Sequence, residues 1–457
     1  VSSQDSDFPG DSPGPGDPGT GQDPVTATGE PGASTRTGFS RRRLLGAAGV
    51  GAAVAGAAGA GVMAGRASAA SSVHTELTGP VEFRGVHQAG IVTPAQDRMH
   101  FATFDVITDD RAELVQLLRE WTHMAERMTQ GEEAFRDGAI GLNPYAPPSD
   151  TGEALGLPPS QLTLTIGFGP SFFVKDGKPR FGLGDQKPDL LEDLPKFPNE
   201  TMDPARSGGD ICIQACANDP QVAVHAVRNL ARVAFGVAAV KYSQLGFGRT
   251  SSTTRDQSTP RNLFGFKDGT NNIKAEDTQL LTEQVWVNPG DGPDWLTGGT
   301  YMATRRIRMR IEPWDRTTLL EQERVIGRQK GSGAPNGLTQ EFQELDLDMV
   351  DDENQPLIDV GAHVRVVSHQ HLNGIRILRR GYNFTDGTDG FGHLDAGLFF
   401  IAFNRNPATQ FIPMQAEMSR SDAMNEYITH TGTGLFAIPP GIPAGDRDAY
   451  WGSTLFG

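Results

Sequence analysis

Four stretches of the chain repeat one pattern: a short β-like run, a helix-start signal, then apolar residues at helical spacing. The first runs over 100–106, restarts at Asp109 and Asp110, and continues with Leu114, Leu117, Leu118, Trp121 and Met124 on one face. The second covers 210–216, with Asp219 as cap, Pro220 as first helical residue, and Val224, Val227 and Ala231 as the stripe. The third covers 301–311, with 315–318 opening a helix through Leu319, Leu320 and Val325. The fourth covers 397–403, then Asn406 and Pro407, then a helix carrying Phe411, Met414 and Met418. Further strands are expected at 162–168 and 377–384. Two units per half with a strand between them predict an α+β chain. Each half is a split β-α-β domain of ferredoxin-like type, with an antiparallel sheet covered by helices on one face.

The boundary between the halves is expected within 246–260, where Gly, Ser and Thr dominate and the apolar period fails. The reading is then a leader over 1–69, an N-terminal domain over 70–250 and a C-terminal domain over 251–457. Within the leader, residues 1–38 hold 6 Pro, 8 Gly and 6 carboxylates, too little apolar surface to fold. Arg41, Arg42 and Arg43 follow, then an uncharged, Ala- and Gly-rich stretch over 44–65 and a small-residue site ending at Ala69. That order reads as a cleaved signal peptide rather than an anchor, and the paired arginines resemble a twin-arginine signal, which exports folded proteins. A periplasmic or extracellular location is expected, with no membrane span after cleavage.

The whole chain has 457 residues and a net charge of −16. Without a Lys/Arg run to grip phosphate, nucleic acid is excluded as a partner. Its two cysteines make neither a disulfide framework nor a four-cysteine zinc site. At i and i+4 of one strand, Cys212 and Cys216 lie too far apart to bridge each other. A zinc pair at His369 and His371 lacks matching carboxylates. His87 and His225 read as packed structural histidines.

Two segments are dense in chemistry. One is Asn262-Leu263-Phe264-Gly265-Phe266-Lys267-Asp268-Gly269-Thr270-Asn271-Asn272; the other starts at His363-Val364-Arg365 and ends with Leu378-Arg379-Arg380-Gly381-Tyr382-Asn383-Phe384. Together with Asp395-x-Gly397-Leu398-Phe399-Phe400, Val86-His87-Gln88-Ala89-Gly90-Ile91 and the 298–309 segment, they resemble the dye-decolorizing (DyP-type) haem peroxidases. The likeness spans nearly all of 80–457 and is similar to the iron-uptake-associated deferrochelatase/peroxidase branch.

The resemblance implies a non-covalent haem b, one per chain, held mainly by the C-terminal domain. It makes His363 the proximal iron ligand, Asp268 the distal acid/base and Arg379 the distal cation. It places Gly269, Thr270, Asn271, Ser368, His369 and Gln370 around the haem. Arg305, Arg306 and Arg328 are the cations available to its propionates, and Asp395 is the candidate carboxylate behind His363. Where many relatives carry Ala and Pro after the proximal His, this chain has Val367 and His369, so His369 and His371 stay open as alternative ligands. Gly381 stands where many relatives carry Asn. Tyr382, Tyr450 and Trp451 read either as packed aromatics or as relays of oxidising equivalents.

The expected activity is an exported haem peroxidase that reduces hydrogen peroxide and oxidises dye-like, phenolic or porphyrin donors. The alternative is a haem-handling deferrochelatase that releases iron from haem, and a third reading is a haem-free binding module. Expected partners are hydrogen peroxide and a reducing substrate, with other iron-uptake components and a homodimer both compatible with the chain.

Overall fold

The computed structural model describes residues 78–456 except residue 142. The leader, its twin-arginine motif and its cleavage site therefore lie outside the described residues. The strands of the main sheet are β1 (Arg98–Val106), β2 (Thr163–Phe168), β3 (Ile211–Ala217) and β4 (Ala238–Arg249), then β5 (Thr300–Met309), β6 (Leu378–Arg379), β7 (Tyr382–Thr388), β8 (Leu394–Asn404) and β9 (Ile428–Ile438). The main helices are α1 (Arg111–Thr129), α2 (Pro220–Val233), α3 (Leu319–Ile326), α4 (His363–Val366) and α5 (Phe411–Ser421).

Each half forms an antiparallel sheet in ferredoxin order, β2-β3-β1-β4 and β9-β5-β8-β7. Edge strands join the halves, β2 to β9 through Phe168 and Ala437, and β4 to β7 through Phe247 with Asn383 and Arg249 with Tyr382. Since β5 also pairs with β8, the strands close into a ring in which both sheets have their edges paired.

Helix α1 starts where Asp110 accepts the Ala112 N–H at 2.7 Å, and its expected stripe of Leu114, Leu117, Leu118, Trp121 and Met124 is buried. Asp219 caps α2 through the Gln221 N–H at 2.7 Å, with Pro220 in the first turn. The face of α2 is rotated from the one expected, being led by Val222, Ala223, Ala226, Val227 and Leu230. In the third unit the first turn of α3 is solvent-facing, with Leu319 56% and Leu320 81% exposed; Val325 and Ile326 carry the packing. The expected 377–384 strand is present: β6 and β7 run along β8 in one continuous register, with Arg380 N–H on Ile401 O between them, and Gly381 sits where a Cβ would lie 2.7 Å from the Thr250 hydroxyl. Cys212 and Cys216 are free and buried. Among the described residues no helix is long and apolar enough to cross a membrane.

Arg380, fully buried, ties the halves together. Its guanidinium donates to Thr93 O at 2.5 Å, Ile91 O and Pro94 O at 3.4 Å, and the Gln96 side chain, with no carboxylate partner among the described residues. Orphaned buried carbonyls cost roughly 1–3 kcal/mol each, so Arg380→Met should destabilise the fold by about 3 kcal/mol, read by denaturant unfolding.

Candidate haem and peroxide site

A cavity of about 190 Å3, open to solvent, lies in the C-terminal half. One wall is sheet: Leu398 and Phe400 of β8, Ile307 and Met309 of β5, and Ile428 and His430 of β9. These positions alternate along their strands and pair in register, Leu398 and His430 both opposite Ile307. The other wall is helical: His363 and Val364 of α4, and Phe411, Met414, Gln415 and Met418 of α5.

The 260–272 loop closes one side. Its Asp268 N–H donates to Pro260 O at 2.9 Å, and Gly269 takes φ +85° where a Cβ would meet Ser251 Cα at 2.9 Å. Asp268 Oδ1 receives Arg379 Nη1 at 2.8 Å, and Oδ2 receives Asn262 Nδ2 at 3.2 Å. Arg379 is fixed from behind by Asn272, which accepts its N–H at 2.7 Å and donates to its carbonyl at 2.8 Å. Sequence reasoning quoted Asn272 without giving it a role; its signal, an amide beside a turn, is too common to single out.

His363 Nδ1–H donates to Asp422 Oδ2 at 2.6 Å, and Nε2 makes no hydrogen bond among the described residues. Burial disfavours its charged form, but the charge and hydrogen bond of Asp422, with a smaller contribution from Asp268, raise its pKa. Asp422 also accepts the Met424 N–H at 2.9 Å, so it is anchored on its own turn. This is the arrangement by which a carboxylate orients an imidazole and leaves the second nitrogen for a metal.

Asp422 replaces Asp395 in that role. Strand alternation turns Asp395 to the face of β8 away from Leu398 and Phe400, where it binds Arg306 at 2.9 Å. Arg306 is taken by Gln244, Thr431, Asp386 and Asp395 and does not line the cavity. Arg305 lies one step beyond Ile307 on the cavity face, yet it is 1% exposed, paired with Glu200 and bonded to Thr433, so it is absent from the lining. Arg328 does line it, with burial lowering its pKa to about 10; Arg376, which the sequence reading did not name, joins it.

Gly269, Thr270, Asn271, Ser368 and His369 line the cavity as expected, but Gln370 turns to Glu344 and Leu345 O. Of the alternative ligands, His371 faces Glu417 at 3.7 Å off the cavity, whereas His369 lines it without a carboxylate partner among the described residues. His87 stacks on Trp286 at 3.7 Å, His225 pairs with Asp150 at 2.9 Å, and neither lines the cavity. Tyr382, Tyr450 and Trp451 are buried outside the lining.

The donor set fits haem: a carboxylate-oriented imidazole with a free nitrogen, two apolar walls, and the cations Arg328 and Arg376. His363 would hold iron, and the two arginines would meet the anionic ring edge.

The chain matches the family models "Dyp-type peroxidase, N-terminal" over residues 88–248 and "Dyp-type peroxidase, C-terminal" over 259–443. A deferrochelatase of Escherichia coli O6:K15:H31 is 35% identical over 423 residues, covering 91% of this chain and 96% of that protein. Among solved structures, DtpA from Streptomyces lividans superposes with a TM-score of 0.75 at 36% identity, over 84% of this chain and 99% of that one. A DyP-type peroxidase from Streptomyces coelicolor gives 0.75 at 37%, over 84% and 98%. On these matches, and with its cavity built for haem, the chain belongs to the Dyp-type peroxidases.

Proposed function

We propose that the protein is an exported haem b peroxidase in which Asp268 and Arg379 act on hydrogen peroxide opposite His363. The observation that carries the reading is the convergence of two hydrogen-bonded pairs, Asp268 with Arg379 and His363 with Asp422, on one apolar cavity. When bound, haem supplies two electrons to peroxide and recovers them singly from reducing donors. Asp268 takes the proton from the near oxygen of peroxide and returns it to the departing one. Arg379 stabilises the charge growing on the departing oxygen as a donor already held in place by Asn272. Asn262 and Asn272 keep both groups aimed, so little reorganisation accompanies the step. Both cysteines lie outside the cavity, which supports non-covalent attachment, and the one carboxylate-oriented imidazole of the cavity supports one haem per chain. The paired Arg41 and Arg42 support the twin-arginine route.

A second reading is iron release from haem, favoured by the long match to deferrochelatases. The test is an absorption spectrum of haem-loaded protein before and after one equivalent of peroxide, followed by analysis of the porphyrin. A rapid change of the haem band with the ring retaining its iron supports peroxidase action. Intact metal-free porphyrin supports the second reading, and a band indifferent to peroxide overturns the first.

A further inference from the structure

The loop that carries Asp268 is held by a carboxylate seventy-odd residues downstream. Glu341 pairs with Lys267 and accepts the Thr270 hydroxyl at 3.2 Å, so it grips the chain on both sides of Asp268 and Gly269. Its side chain is 10% exposed, so these contacts are shielded from solvent. Glu341 is itself anchored: its carbonyl accepts Arg328 Nη1 at 2.9 Å, and that same nitrogen donates to Gly333 O at 2.7 Å. Buried Arg328, Glu341 and the 260–272 loop thus form one continuous polar frame.

We infer that Glu341 is a positioning residue for Asp268, acting by bracketing its loop and by holding the Lys267 ammonium in an ion pair. This rests on Asp268 being the proton carrier. Lys267 lines the cavity and adjoins Asp268 in sequence, and Glu341 is its ion-pair partner. Without Glu341, that ammonium is free to compete with Arg379 for the Asp268 carboxylate, and the loop loses both anchors at once. A displacement of about 1 Å at a reacting group costs on the order of 100-fold in rate, so the effect is large although Glu341 touches neither iron nor peroxide.

The experiment is a double-mutant cycle on the haem-loaded protein, with stopped-flow peroxide kinetics beside haem affinity and the resting absorption spectrum. Glu341→Ala should lower the second-order rate with peroxide by about 10- to 100-fold and leave haem affinity within about twofold. In an Asp268→Asn background the same change should cost less than about twofold, because the group it positions has lost its function. Glu341→Gln, which keeps volume and an acceptor oxygen, should fall between wild type and Glu341→Ala, and it serves if the alanine variant does not fold. An unchanged rate in both variants, equal losses in the two backgrounds, or loss of haem would overturn the role. If Asp268→Asn alone leaves the rate unchanged, it is the catalytic reading of Asp268 that fails, and the positioning role falls with it.

Discussion

Replacing Asp268 by Asn should slow the reaction with peroxide by about 10²- to 10⁴-fold while haem stays bound, because a positioned acid/base contributes a factor of that size. Asparagine keeps the shape of the side chain and an oxygen able to accept from Arg379, and the Asp268 backbone N–H still holds the loop to Pro260 O, so the main loss is of proton transfer, at the cost of the Asn262 contact. Stopped-flow absorbance of the haem band against peroxide concentration reads the effect directly. Arg379→Leu should slow the same step by about 10²- to 10³-fold, the loss expected for one donor aimed at developing charge. The double variant should lose less than the product of the two, since the 2.8 Å contact makes the residues a coupled unit. An Asp268→Asn rate within twofold of wild type would remove the aspartate from the chemistry and leave Arg379 as the group to examine.

The legible part of the fold was the part written in strong periodicity. The buried stripe of α1 and the cap of α2 follow from Asp110, Asp219 and apolar spacing, and the first three strands of each half show as short β-like runs. The fourth strand of each half was not anticipated. Along β4, Val240, Leu245 and Phe247 are exposed among polar residues, so no clean alternation marks it; in β9 the Thr-Gly-rich start of 428–438 dilutes the signal. Those two strands pair across the halves and close the ring, an arrangement that depends on partners far away in sequence.

The site shows the same division. Asp268, Arg379 and His363 stand in dense motifs, and the structure brings all three to one cavity. Asp422 was missed because it follows His363 by 59 positions and looks locally like a turn cap, which it also is. Arg305 and Asp395 were misassigned for one reason: residue type was read without the strand face or the competing partner. Alternation sends Asp395 to the wrong side of β8, and Glu200, from a loop of the N-terminal half, takes Arg305. A charge in a sequence motif therefore becomes a site residue only after its nearest opposite charge is known.

The second large effect concerns iron. His363→Ala should abolish tight haem binding, measured by titrating the apoprotein with haem and following the absorption band, because no other imidazole of the cavity is oriented by a carboxylate. His369 also lines the cavity, and burial together with the charge of Arg376 lowers its pKa, so it is available as a neutral donor near the mouth. Residual binding in His363→Ala with an altered spectrum would therefore mark capture by His369 or by His430, the other imidazole in the lining, and adding His369→Ala or His430→Ala in turn should show which. Asp422→Asn separates orientation from charge: asparagine still accepts the Nδ1–H, so the ring stays aimed, but it no longer pushes electron density through the imidazole. Loss of such a partner typically costs about 10- to 100-fold in metal affinity or activity. If His363 is the ligand, Asp422→Asn should weaken haem binding or slow the peroxide reaction in that range and shift the reduction potential upward. An Asp422 variant indistinguishable from wild type in affinity, rate and potential would mean that the 2.6 Å contact only packs the turn, and the assignment of His363 to iron would lose its main structural support.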